Sequence, residues 1–219
     1  MKTWGAIQNE VLGLMFSNAN GGEKITLSDA SAKEYVINMA DAFNYGIRDL
    51  LSAKPYLKKY SVRVGKTDSE GYDLVIDSAS GKQITIDFAN VSDFSAFGSK
   101  GIYFVSDDGS ISKVSNHFFM GDTELVLNIS GEGLYTIYYE AYPESVSEET
   151  KTEFEIKLSD DLLDAVVYYM ASRLYAEDDI QLSTHYLNIY SDKKAQISAK
   201  EQSRQTIGGE KFVSERGWI

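Results

Sequence analysis

Three observations predict an α+β fold in which a β-rich middle is flanked by pairs of helices. Apolar residues recur at helical spacing in two segments before residue 56 and in two more after residue 157. Between them, from Tyr60 to Phe154, that period gives way to short runs of β-branched and aromatic residues separated by glycine, Asp-Gly and serine. The chain has 219 residues, 43% hydrophobic and 25% charged, enough for one large domain or two small ones.

The first helix is expected to follow Thr3, with Trp4, Ile7, Val11, Leu14 and Met15 on one stripe and Asn18 to Gly22 ending it. A second start signal pairs Ser31 with Glu34 at capping-box spacing, with Ser28 as the competing cap. Tyr35, Val36, Met39, Phe43, Ile47, Leu50 and Leu51 carry the face onward to Pro55, which stops it. The clearest helical signal runs from Leu158 to about Lys200 and reads as a hairpin. Ser159 offers a hydroxyl to the orphan amides and Asp160 and Asp161 face the positive helix end. Leu163, Val166, Val167, Met170 and Leu174 form one stripe; Leu182, Tyr186, Ile189 or Tyr190, and Ile197 form the next. Glu177, Asp178 and Asp179 make the polar break, where Asp178 or Asp179 caps the returning helix.

The β runs are SVRV from Ser61, DLVID from Asp73, QITIDF from Gln83, IYFV from Ile102, ELVLNI from Glu124 and LYTIYYEAY from Leu134. The last alternates Tyr135, Ile137, Tyr139 and Ala141 against Thr136, Tyr138 and Glu140, as a strand with one buried face does. Six or seven such strands predict a sandwich or barrel. Four helices cannot each bury a stripe alone, so the N-terminal pair is expected to pack on the C-terminal hairpin. The predicted parts are a helical pair over 1–56, a β insertion over 57–156, a helical hairpin over 157–202 and a C-terminal arm over 203–219.

Charge and composition exclude several functions. Cysteine is absent, which removes disulfides and thiolate chemistry. Against 21 Lys and Arg stand 33 Asp and Glu, a formal charge of −12, which opposes a grip on nucleic acid through phosphate neutralisation. No apolar run approaches the ~20 residues of a membrane span, and Asn9 and Glu10 interrupt any signal-peptide core, so synthesis in the cytoplasm is expected. The two histidines, His117 and His185, have no ligand-spaced companion, and no metal site or cofactor is expected. Asp107-Asp108-Gly109-Ser110 lacks the alternating acids of a calcium loop and reads as a hairpin turn. Neither a nucleophile elbow nor a nucleotide-binding glycine motif occurs, and the chain is not expected to be an enzyme.

Two further features point to binding. Tyr135, Tyr138, Tyr139 and Tyr142 offer an aromatic platform, the basis of an alternative reading as a carbohydrate-binding or adhesin module. Tyr168, Tyr169, Tyr175, Tyr186 and Tyr190 fall on both faces of the helical hairpin, as on a helix covered from more than one side. The tail from Glu201 is polar and neutral, with Gly208-Gly209 expected to stop the last helix. Its Phe212, Val213, Trp218 and Ile219 either fold back on the same subunit or order on a partner, with Arg204 and Arg216 on the rim.

The helices at Ser28 to Leu51 and Ser159 to Ile197, above all LLDAVVYYMASRLYAEDDIQLSTHYLNIYSDKKAQI, resemble the helical core of head-to-tail adaptor (connector) proteins of tailed bacteriophages over about half the chain. The resemblance implies a four-helix adaptor-type bundle with an inserted antiparallel β-sandwich domain and an extended C-terminal arm. It further implies a structural virion protein at the head-tail junction. Its copies form a ring, commonly dodecameric, below the portal protein and above a tail or stopper (nozzle) protein, and genomic DNA passes through an acidic channel without specific binding. Arg204, Phe212, Val213, Arg216, Trp218 and Ile219 are then the portal-docking arm. The inserted β domain departs from the smallest members of that family, and its contacts do not carry over.

Overall fold

The computed structural model describes residues 2–16, 25–65, 74–75, 83–129 and 131–209. It is a mixed α+β chain of four helices and several small sheets, divided into two compact units, Met1–Pro55 with Glu144–Ile219, and Tyr56–Pro143. No closed barrel forms among the described residues.

In the first unit, strand β1 (Lys2–Thr3) leads into helices α1 (Trp4–Phe16) and α2 (Lys33–Leu51); strand β10 (Glu155–Ile156) precedes helices α3 (Asp160–Leu174) and α4 (Ile180–Gly209). Helices α1, α2 and α4 all pack on α3. That is why α3 buries Leu162, Leu163, Ala165, Val166, Val167, Met170, Ala171 and Ser172, more than one stripe of its circumference. α2 comes close to α3 at Gly46, where a Cβ would lie 2.7 Å from Tyr169 Cδ1 and 2.8 Å from Val166 Cγ2. Trp4 meets Phe43 edge-on at 5.2 Å, joining α1 to α2.

Helix ends depart from the sequence reading in informative ways. The orphan amides of α1 are met mainly by backbone: Trp4 N–H donates to Phe154 O at 2.8 Å and Gly5 N–H to Thr152 O at 2.9 Å, while Thr3 Oγ1 accepts from Ala6 N–H at 3.3 Å. The segment 144–156 thus runs with the helices: β10 pairs antiparallel with β1, and Asn44 of α2 holds Val146 through both backbone groups at 2.8 and 3.1 Å. The Ser31–Glu34 box does not cap α2, whose N-cap is Ala32 without a side-chain bond. Asp29 instead takes the Thr26 N–H and hydroxyl at 2.6 and 3.0 Å, closing a turn ahead of the helix. Ser159 is the N-cap of α3, yet its hydroxyl accepts from Lys54 Nζ at 2.8 Å rather than from a helix amide. Asp179 caps α4 as expected, accepting from Gln181 and Leu182 N–H at 2.9 and 3.0 Å. Helix α4 ends at the expected Gly208-Gly209 stop, so residues 203–209, assigned to the arm, are its last turns.

Lys54 joins the end of α2 to the start of α3, donating to both Asp161 oxygens at 2.8 Å. Burial pushes the Asp161 carboxyl up, but Lys54, the Ser159 hydroxyl and Leu162 N–H outweigh it and hold the group down to about 2. Because its folded value lies below the ordinary 3.8, the unfolded chain binds the extra proton, so this stabilisation is full above about pH 4 and fades as pH falls toward about 2. Urea titrations should show Asp161→Asn losing about 1 kcal/mol at neutral pH, after allowance for screening by water, with the difference from wild type shrinking as pH falls below about 4. A pH-independent difference would contradict this linkage.

The second unit holds strands β2 (Leu57–Gly65), β3 (Leu74–Val75), β4 (Gln83–Asp87), β5 (Phe94–Ser106), β6 (Ile111–Val114), β7 (His117–Met120), β8 (Glu124–Asn128) and β9 (Gly133–Ala141). One sheet has the order β3-β2-β9-β5-β6, antiparallel except for the β2–β3 pair; the other is antiparallel, in the order β4-β8-β7. As the alternation predicts, Tyr135, Ile137, Tyr139 and Ala141 are the buried face of β9. Their cluster also takes Val62 and Val64 from β2, Ile84 and Ile86 from β4, and Leu125 and Leu127 from β8, so both sheets share one core. Asp107-Asp108-Gly109-Ser110 is the β5–β6 turn: Gly109 has φ +83°, and Asp108 accepts from Ser110 N–H at 2.9 Å.

Candidate functional site

The tyrosines of the helical hairpin are the side chains that fix its geometry. The last turn of α1 runs to Phe16, and its carbonyls accept side-chain donors from the hairpin. Two phenols do so: Tyr175 donates to Met15 O, and Tyr186 donates to Leu14 O at 2.9 Å. Tyr175 and Tyr186 also stack nearly parallel, their centroids 6.0 Å apart. Tyr190 donates to Asp49 on the last turn of α2, and Lys194 Nζ reaches the other Asp49 oxygen at 2.7 Å. Burial pushes Asp49 up, but these two donors outweigh it and hold it below the usual carboxylate range, while burial and the carboxylate together raise Tyr190. Tyr169 packs on Tyr190 at 5.1 Å, and Lys193 Nζ sits 5.1 Å above the Tyr168 ring. Tyrosine on both faces of the hairpin is therefore accounted for within one chain: one side meets α1 and the other α2.

A cleft of about 500 Å³ opens between the N-terminal half of α2 and the end of α3. Its lining includes Glu34, Asp41, Glu177 and Asp178, one cation in Arg173, and Tyr45. Tyr35 crosses it, donating to Asp178 Oδ2 at 2.6 Å; that bond, reinforced by burial, pushes the phenol up to about 12. Tyr45 and Ile37 leave this face of α2 half exposed, at 59% and 50%. On α4, Leu182 is 37% exposed; Tyr190 and not Ile189 supplies the buried position, with Ser183 and Ile197 completing the inward face.

The residues singled out from sequence fall as follows. Tyr135 and Tyr139 point into the β core, Tyr138 lies on the opposite face of β9 against Tyr103, and Tyr142 is exposed, so the four make no common platform. His117 lies on β7 and His185 on α4, and among the described residues no group of three His, Asp or Glu is placed to hold a metal ion. No helix among them is long and apolar enough to cross a membrane. Arg204 lies on α4; Phe212, Val213, Arg216, Trp218 and Ile219 lie outside the described residues. The cleft on α2 was not foreseen: Glu34, Asp41 and Tyr45 share a face at helical spacing, but only tertiary structure brings Glu177 and Asp178 to them. A scan of protein-family models finds no match to this chain, and a search of curated proteins finds no relative of it.

Proposed function

We propose that the chain is a head-to-tail adaptor of a tailed bacteriophage, a virion protein whose copies form a ring below the portal and pass DNA to the tail. The observation that carries this reading is the order of the parts. Two helices, a β unit, and a tyrosine-bonded helical hairpin whose α3 is the packing centre make an adaptor-type bundle, with the β unit as an inserted antiparallel sandwich. The strongly acidic charge suits the role, because a conduit for a polyanion must not hold it: each surface lysine or arginine adds a phosphate contact, and each carboxylate opposes one. Ring copies seated head to tail make heterologous contacts that close. The arm beyond α4, with Phe212, Val213, Trp218 and Ile219 as apolar anchors and Arg216 at the rim beside Arg204 of α4, docks on the portal; a tail or stopper protein binds the opposite side of the ring.

Size-exclusion chromatography with mass measurement, on the chain alone and mixed with portal rings, tests this directly. The expected result is a ring-sized species that co-elutes with the portal, does not bind duplex DNA firmly at ~150 mM salt, and loses portal attachment when Phe212 to Ile219 are deleted. A monomer at every concentration with no association with portal rings would overturn the reading.

A further inference from the structure

We propose that one flank of α4 seats in the α2–α3 cleft of a second copy of this chain, and that this contact is the repeating interface between subunits. The inference rests on the ring reading and names the surfaces that meet. Leu182, Ile189, Lys193 and Lys200 follow one another at intervals of seven, four and seven residues, which at 3.6 residues per turn places all four on one flank of α4. Leu182 and Lys200 are exposed, Ile189 and Lys193 partly so, and neither lysine pairs with a described carboxylate. The flank is thus apolar in its first half and basic in its second.

The cleft is its chemical complement. Glu34, Asp41, Glu177 and Asp178 outnumber Arg173 there, and Ile37 and Tyr45 add exposed apolar surface on the same face of α2. A chain of formal charge −12 repels its own copies over most of its surface, so a locally basic flank is where a second copy can approach an acidic cleft. The two surfaces share no residue. Cleft against cleft would oppose carboxylates and flank against flank would oppose lysines, so each contact joins the flank of one copy to the cleft of another; repeated in one direction from copy to copy, as the ring reading requires, that contact is heterologous, the type that generates rings. α4 also has the length for it: its 30 residues span about 45 Å, twice the length of α3, and none of residues 198–203 is buried.

Charge reversal on the full-length chain, read as mass against concentration, tests the contact. Asp41→Lys with Glu177→Lys makes cleft and flank both basic; Lys193→Glu with Lys200→Glu makes both acidic. Each double variant alone should require at least about tenfold higher concentration to assemble than wild type, since like charges are brought together. An equimolar mixture of the two, or all four substitutions in one chain, should restore assembly, because every contact again joins opposite charges. Double variants that assemble like wild type would overturn this interface while leaving the ring reading standing. So would mixed and fourfold variants that stay monomeric although folded by circular dichroism. A wild-type chain that never assembles would instead remove the ring reading and this inference with it.

Discussion

Met170→Asp should abolish the helical unit: the purified variant is expected to lose most of its helical circular dichroism and to be recovered largely as aggregate. Met170 has no exposed surface and lies in the C-terminal half of α3, the helix on which α1, α2 and α4 all pack. Truncating a buried methionine costs about 2–5 kcal/mol by itself. An unpaired carboxylate in the same place either stays charged in an apolar medium or takes up a proton at neutral pH, for several kcal/mol more. Together these approach the ~5–15 kcal/mol that holds an ordinary domain folded. Met170→Leu conserves volume and should cost under about 1.5 kcal/mol, which separates the effect of charge from that of any change at the site. A soluble Met170→Asp protein with wild-type helicity would show that α3 is not the shared core.

How much of this was legible in the sequence depended on the range of the interaction concerned. Apolar periodicity located all four helices because each stripe is a local record of what the helix buries. It failed at single residues: Leu12, not Leu14, is buried in α1, and Leu182 falls off the inward face of α4. Alternation read β9 correctly, since Tyr135 to Ala141 is an inner strand with one wet face. It missed β6 and β7, where Ile111, Phe118, Phe119 and Met120 are large, apolar and exposed, so no contrast between faces marks a strand. Caps divided along the same line. Asp179 bonds amides two and three residues ahead and was readable; the Ser31–Glu34 box has the right spacing, yet α2 has Ala32 as its N-cap, without any side-chain cap. The tyrosine bonds to Leu14, Met15 and Asp49 span more than 140 residues of chain and left no trace in local pattern. The cleft shared by α2 and the end of α3 was hidden for the same reason.

Phe88→Ala should have the corresponding effect on the β unit, melting it while the helices persist. Phe88 lies just after β4 on a single turn of 3₁₀-helix, held there because Asp87 accepts from Ala89 N–H at 2.8 Å and Phe88 N–H donates to Thr123 O at 2.9 Å. Its ring is fully buried and meets those of Tyr60, Phe94, Phe97 and Tyr139 at 5.1, 5.0, 5.2 and 5.6 Å. It therefore bridges the sheet of β2, β5 and β9 with the end of β4 in the other sheet. Removing it leaves a cavity walled by rings that cannot collapse without breaking their own contacts, so the loss should fall at about 3–5 kcal/mol. Two compact units predict separable transitions, with the near-ultraviolet signal of the β unit lost at lower urea and the helical signal retained. Tyr142→Ala, at an aromatic on the same unit that is 49% exposed, should move the midpoint by no more than about 0.5 kcal/mol. If Phe88→Ala were as mild as Tyr142→Ala, the two sheets would not share the core assigned to them; if both signals moved together, the units would not unfold independently.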